Sequence, residues 1–248
     1  MKILITNDDG INAKGINMLA KSLQNKHEII VVAPDRQRSA SSHSITLSTP
    51  LIVKEVKVEN LNCRCFSVNG TPADCTKVAI EKLVCHNVDL VISGVNDGFN
   101  LGTDVLYSGT VSAAIEAAIM KTPSIAVSCK GDESSFEIAI DYVNKIIESL
   151  DVKELRGDIV LNVNIPPVDK ADVKGIKICK IGERNYKDVF IEIETTEEHI
   201  SYGIKGTPED LDEIGTDVYH IKEGYVTLTP LHYDLTNFNI LDEVSKWF

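Results

Sequence analysis

Between residues 2 and 165 the chain repeatedly places a short, unbroken apolar run next to a stretch with helical periodicity. The runs are "ILIT" from Ile3, "HEIIVVA" from His27, "VDLVIS" from Val88, "SIAVSC" from Ser124, and the segment from Ile159 to Ile165. A strand with one face in water alternates apolar and polar residues, and these runs do not. Both faces must therefore be covered, which calls for helices above and below a mainly parallel sheet. The helices are legible between the runs. Ala13 to Leu23 puts Ile16, Leu19 and Leu23 on one face, and "SGTVSAAIEAAIM" reads as a tightly packed helix of small residues. "GTPAD" opens a third helix, with Thr71 as N-cap, Pro72 at the first helical position and Asp74 as the returning acid. In "SSFEIAIDYVNKIIESL" Ser134 and Glu137 form the expected capping box. Ile45–Val58 and Arg64–Val68 read as further strands, whose place in the sheet the sequence leaves open.

After Pro166-Pro167 the pattern changes. Ile176–Ile181, Val189–Glu194 and Tyr225–Thr229 alternate as antiparallel strands do, with a polar stretch between them, and Ile240–Trp247 reads as a final helix. The expected architecture is a single α/β domain over residues 1–248. A Rossmann-like core, a mainly parallel sheet flanked by helices, would span 1–166, and a β-rich C-terminal extension used for oligomerisation would span 167–248.

A length of 248 residues with 43% hydrophobic content supports one well-filled core. The net charge of −12 argues against binding a nucleic-acid polymer, which needs a basic face. The cysteines at 63, 65, 75, 85, 129 and 179 form no C-x-x-C pair and read as free, reduced thiols. No run approaches the roughly 18 apolar residues of a membrane span, and no secretory leader is legible. The expectation is a cytoplasmic protein without a membrane partner.

In an open parallel sheet, ligands gather beyond the carboxyl ends of the strands. Three such exits are rich in oxygen: Asn7-Asp8-Asp9-Gly10, "DRQRSASSHS" from Asp35, and "GVNDGFN" from Gly94. Adjacent carboxylates repel, so Asp8 and Asp9 call for a compensating charge. Carboxylates combined with neutral hydroxyl and amide oxygens suit a hard divalent cation such as Mg²⁺ or Mn²⁺. Close by in sequence, Tyr107-Ser108-Gly109-Thr110 precedes the small-residue helix, where free N–H groups and hydroxyls make an anion site. A cation beside an anion cradle points to metal-assisted hydrolysis of a phosphate ester. Taken singly, each piece is ordinary: D-D-G is a common turn, Ser39 sits in a serine-rich loop, and Ser108 can be a helix cap. Their conjunction at the exits of one sheet carries the reading.

Other phosphate chemistries leave signatures that are missing here. There is no G-x-x-x-x-G-K-[ST] loop and no G-x-G-x-x-G fingerprint. The opening imitates the D-x-D-G of haloacid-dehalogenase phosphatases, but Asn7 stands at the nucleophile position, and an amide cannot form an aspartyl-phosphate.

"ILITNDDG", "APDRQRSASSHSIT", "VNGTPADC", "DLVISGVNDGFNLGTDVLYSGTVSAA" and "SIAVS", in that order, closely resemble the SurE family of 5′-nucleotidases. The resemblance implies a phosphatase acting on nucleoside monophosphates, with one divalent metal per subunit and a C-terminal region exchanged in a homodimer or homotetramer. It implies that Asp8, Asp9, Ser39 and Asn96 hold the metal and that no covalent intermediate forms. One departure is Ser39-Ala40, where the family usually has Ser-Gly; alanine enters positive φ less readily than glycine. The expectation for the site is therefore Asp8 and Asp9 as catalytic acids, with Asn96, Ser108, Gly109 and Thr110 receiving the phosphoryl group. His43 is the proposed proton donor to the leaving group. Two alternatives stay open on the same site: a broader phosphomonoesterase or exopolyphosphatase, and a nucleotide-binding regulator without catalysis.

Overall fold

The computed structural model describes residues 1–150 and 156–248. In chain order the elements begin β1 (Lys2–Thr6), α1 (Lys14–Leu23), β2 (Glu28–Pro34), β3 (Val53–Val56), β4 (Arg64–Val68) and α2 (Pro72–Val78). They continue with β5 (Leu90–Asp97), α3 (Gly109–Ile119), β6 (Ser124–Cys129), α4 (Glu133–Ser149) and β7 (Val160–Asn164). The C-terminal third contains β8 (Ile176–Ile178), β9 (Arg184–Lys187), β10 (Phe190–Thr195), β11 (Ile200–Ile204) and β12 (Thr207–Asp210). It ends with α5 (Asp217–Lys222), β13 (Val226–Leu231) and α6 (Leu241–Val244).

The main sheet has the order β3-β4-β2-β1-β5-β6-β7-β13-β8. From β4 to β7 every neighbouring pair is parallel. The unbroken apolar runs explain this burial: Ile3, Leu4 and Ile5 of β1 are fully enclosed, as are Leu90, Val91 and Ile92 of β5. Alternate residues feed two cores. Ile3, Ile5 and Ile92 pack with α1 and α4 on one face, whereas Leu4 and Val91 pack with Cys75 and Ala79 on the other. Each such side chain contributes about 1.5–3 kcal/mol by leaving water. The sheet order puts β2, β1 and β5 side by side, so the three oxygen-rich exits share one edge.

Several boundaries differ from the sequence expectation for physical reasons. Helix α4 is capped by Asp132, whose carboxylate accepts from Ser134 N at 3.0 Å, so Ser134 lies inside the helix and is not its cap. The strand expected over Ile45–Val58 shrinks to β3. Asp74 completes the Thr71 capping box and also takes the Thr46 backbone N–H and hydroxyl, at 3.1 and 2.6 Å, holding that stretch as a loop. Strand β5 runs on past Ser93 to Asp97, with a register shift against β6, and so carries Asn96 on a strand end. Beyond residue 166, β13 returns to the main sheet, antiparallel to β7, while β10–β11 and β9–β12 form two separate antiparallel ribbons. The ribbon strands β9, β11 and β12 and the helix α5 fall in the stretch read as polar.

Candidate active site

Asn7 closes the turn at the end of β1. Its amide nitrogen donates to Gly10 O at 3.0 Å and its amide oxygen accepts from Gly10 N at 3.1 Å. Gly10 has φ +99°, a conformation open to glycine. Asn7 is thus a fully buried brace that aims the next two residues outward. Asp8 is buried and receives the Thr110 hydroxyl at 2.6 Å, while its carbonyl oxygen accepts from Arg38 N at 2.7 Å. Asp9, half-buried, receives the Gln37 amide at 3.2 Å. Burial pushes the Asp8 carboxyl up to about 6, with the Asp9 charge adding to the effect. Burial also raises Asp9, and the Asp97 charge adds there.

These acids line one end of a cleft of about 890 Å³, together with Ser39, Asn96 and Ser108. Asn96 donates its amide nitrogen to Gly98 O at 2.8 Å, which leaves its amide oxygen as an acceptor facing the cleft end. Ser108 caps α3 by accepting from Val111 N at 3.1 Å, and its own proton remains to be donated. Gly109 does not line the cleft but packs directly behind Asp8. A Cβ there would lie 2.8 Å from the Asp8 Cβ and 3.0 Å from Ser41 Oγ. Thr110, fully buried, orients Asp8 through its hydroxyl. Ala40 does adopt the left-handed region, at φ +52°, so the loop keeps the shape that glycine would take more cheaply.

His43 does not line the cleft. Its Nε2 lies 2.8 Å from the buried Glu116, which also accepts from Lys77 at 3.1 Å. The link ties the serine-rich loop to α3.

The donor set fits a hard cation. Two carboxylates lie side by side with raised affinity for protons, Ser39 and Asn96 supply neutral oxygens, and Ser41 Oγ is buried without a partner against Gly109. Among the described residues no three His, Cys, Asp or Glu side chains form a metal-holding group, so a cation held here would need the neutral oxygens as well.

Sequence reasoning missed the other wall of the cleft. Thr103 and Asp104 come from the turn before α3, next to the Tyr107 already singled out, and Arg184, Tyr186, Val189, Ile204 and Gly206 from the ribbons and their connections. Arg184 donates to Asp210 at 2.6 and 3.0 Å and to Asp104 at 3.2 Å, and the Tyr186 hydroxyl donates to Asp104 at 2.6 Å. Burial, reinforced by Asp104, pushes the Tyr186 phenol up to about 12. Gln37 had a weak sequence signal, since it sits between Arg36 and Ser39 in a loop already under suspicion. Arg184 and Tyr186 had none, being ordinary polar-ribbon residues brought in by tertiary pairing.

Fold and cleft together define an α/β protein with a cleft lined by carboxylates, hydroxyls and amides at the strand exits of its parallel sheet. The family model described as Survival protein SurE matches residues 3–188. The chain is 52% identical over 252 residues to the "5′-nucleotidase SurE" of Clostridium botulinum (strain ATCC 19397 / Type A), covering all of this chain and 99% of that protein. It is 49% identical over 250 residues to the protein of the same name from Clostridium tetani (strain Massachusetts / E88), with full coverage of both. A solved structure, the SurE protein from Aquifex aeolicus, superposes with TM-score 0.84 at 37% identity, covering all of this chain and 99% of the other. The chain belongs to the SurE family.

Proposed function

We propose that the protein is a metal-dependent 5′-nucleotidase, hydrolysing nucleoside 5′-monophosphates to nucleoside and phosphate. The observation that carries this reading is the gathering of Asp8, Asp9, Ser39, Asn96 and Ser108 at one end of a single cleft. The names of the relatives support the same class. Asp8, Asp9, Ser39 and Asn96 would hold one divalent cation, Mg²⁺ or Mn²⁺. When bound, it neutralises the phosphoryl oxygens and lowers the pKa of water. The protein's own groups do the rest. Thr110 and Gly109 fix the Asp8 carboxylate, and Gln37 steadies Asp9. Asp8 or Asp9 would take the proton of the attacking water. Asn96, Ser108 and the N–H groups at the start of α3 would receive the phosphoryl oxygens. Among the described cleft-lining residues Arg184 is the one cation, and both Asp104 and Asp210 occupy it. That favours a monophosphate over a polyphosphate chain, which would need free positive charge along the cleft.

The chain would act as one domain, with 1–166 as core and 167–248 as an extension that joins subunits into a homodimer or homotetramer. Apolar side chains left exposed on that extension, including Phe190, Ile193, Ile214 and Leu235, support the assignment. Among the described residues no helix is long and apolar enough to cross a membrane, in keeping with work in the cytoplasm. Phosphate release from AMP, with Mn²⁺ and then with a chelator, tests the whole reading. Activity should need the metal, and Asp9→Asn should abolish it while leaving the circular-dichroism spectrum intact. An Asp9→Asn variant with near-normal turnover would overturn the metal-site assignment.

A further inference from the structure

We propose that the end of the cleft away from the acids is a platform for the nucleobase, with the ring of Tyr186 as its stacking surface. The inference rests on the nucleotidase reading and specifies how that site recognises its substrate. The walls change character along the cleft. Asp8, Asp9, Ser39, Asn96 and Ser108 come from the exits of the main sheet and the cap of α3, whereas Tyr186, Val189, Ile204 and Gly206 come from the two ribbons and their connections. A single turn, Gly102–Leu106, followed by Tyr107, joins the two ends. Tyr107 precedes Ser108 in the chain and donates its backbone N–H to Asp104 O at 3.0 Å, and the Asp104 side chain holds the Tyr186 hydroxyl. A nucleotide whose phosphoryl group sits at Ser108 therefore extends its base past this turn toward Tyr186.

The tyrosine is fixed before any ligand arrives. Its hydroxyl is tied to Asp104, and the side chain lies against Gly206, where a Cβ would stand 3.0 Å from the tyrosine Cβ and from the ring carbon Cδ1. Arg184 clamps Asp104 to Asp210 and so keeps the turn against the ribbon. Tyr186 as a whole is still 40% exposed. A pre-oriented aromatic surface loses little freedom when a planar group stacks on it. Arg184 has its charge matched by two carboxylates and the neighbouring walls are Val189 and Ile204, so this end accepts a neutral planar group. Stacking depends on overlap area, and recognition here follows base size, with purines above pyrimidines.

The test compares kcat/KM of the full chain for AMP, UMP and ribose 5-phosphate, which keeps the sugar and phosphate and lacks a base. The wild type should prefer AMP to UMP and both to ribose 5-phosphate. Tyr186→Leu should lower the AMP to ribose 5-phosphate ratio about tenfold or more, through KM, whereas Tyr186→Phe should keep the ratio within about threefold, because the ring remains. Equilibrium binding of AMP to both variants, with melting curves to verify folding, should show the same split. A Tyr186→Leu variant that folds and keeps the wild-type ratio overturns the platform while the nucleotidase reading stands. A wild type that cleaves neither AMP nor ribose 5-phosphate with Mn²⁺ overturns that reading, and the platform with it.

Discussion

Two buried carboxylates in this molecule are treated in opposite ways. Asp217, at the start of α5, has no exposed surface, and backbone N–H groups surround it: Gly102 and Val218 donate at 3.0 and 2.8 Å and Gly182 at 2.8 Å. Those donors come from three separate parts of the chain, so the acid locks the cleft turn, the segment before β9 and α5 together. Asp8 is nearly as buried, yet among the described residues its carboxylate has one side-chain donor, the Thr110 hydroxyl, with Asp9 beside it and its own affinity for protons raised. A buried carboxylate satisfied by the backbone belongs to the architecture. One left short of donors next to a second negative charge is held ready for a positive ligand.

The contrast can be broken most severely at Asp217. Asp217→Ala should destabilise the protein by about 3–5 kcal/mol, read from denaturant midpoints, because buried N–H groups lose their only acceptor. The Asp8 side predicts the reverse response to a ligand. Mn²⁺ at about 100 times its Kd should stabilise the wild type by about 2.7 kcal/mol in a thermal melt, and Asp8→Asn should lose that gain. Without metal, Asp8→Asn should be more stable than wild type at pH 7 by about 1–3 kcal/mol. The sign follows from the raised carboxyl. Its folded value of about 6 lies above the ordinary 3.8, so its contribution is fully favourable below pH 4 and is lost as pH rises through 6. Melts in chelator should therefore show the gap between the variants opening between pH 4 and 7. The smallest effect belongs to the loop carrying Ser39: Ala40→Gly, relieving φ +52°, should stabilise by about 0.5–1 kcal/mol in chemical denaturation.

The same pair of acids shows what the sequence could disclose. Asp8 and Asp9 ended an apolar run too continuous to be anything other than a buried parallel strand, so their place at a sheet edge followed from the strand itself. The runs beginning at His27 and Val88 were equally continuous, and their strands are the two neighbours of β1. Asp217 gave no such sign. It lies in a polar stretch, its helix is short, and its partners Gly102 and Gly182 are related to it only through tertiary structure. The ribbon strands β9 and β12 are four residues long and largely exposed, so no hydrophobic alternation marked them. Local chemistry misled at one cap as well, since Ser134 resembled an N-cap, but Asp132, two residues earlier, takes that role and accepts both the N–H and the hydroxyl of Ser134.

The clamp that Arg184 forms between Asp104 and Asp210 has a consequence in time. The acids, Ser39, Asn96 and Ser108 all lie within the first 108 residues, whereas the wall that Arg184 fastens is made more than 70 residues later. At a ribosomal pace of about 5–20 residues per second, the far wall follows by several seconds. The end that would hold the cation can form first, on a nascent chain whose cleft is still open on one side. Selectivity is then the last property to be installed, when the ribbon docks and the tyrosine comes to rest on Gly206.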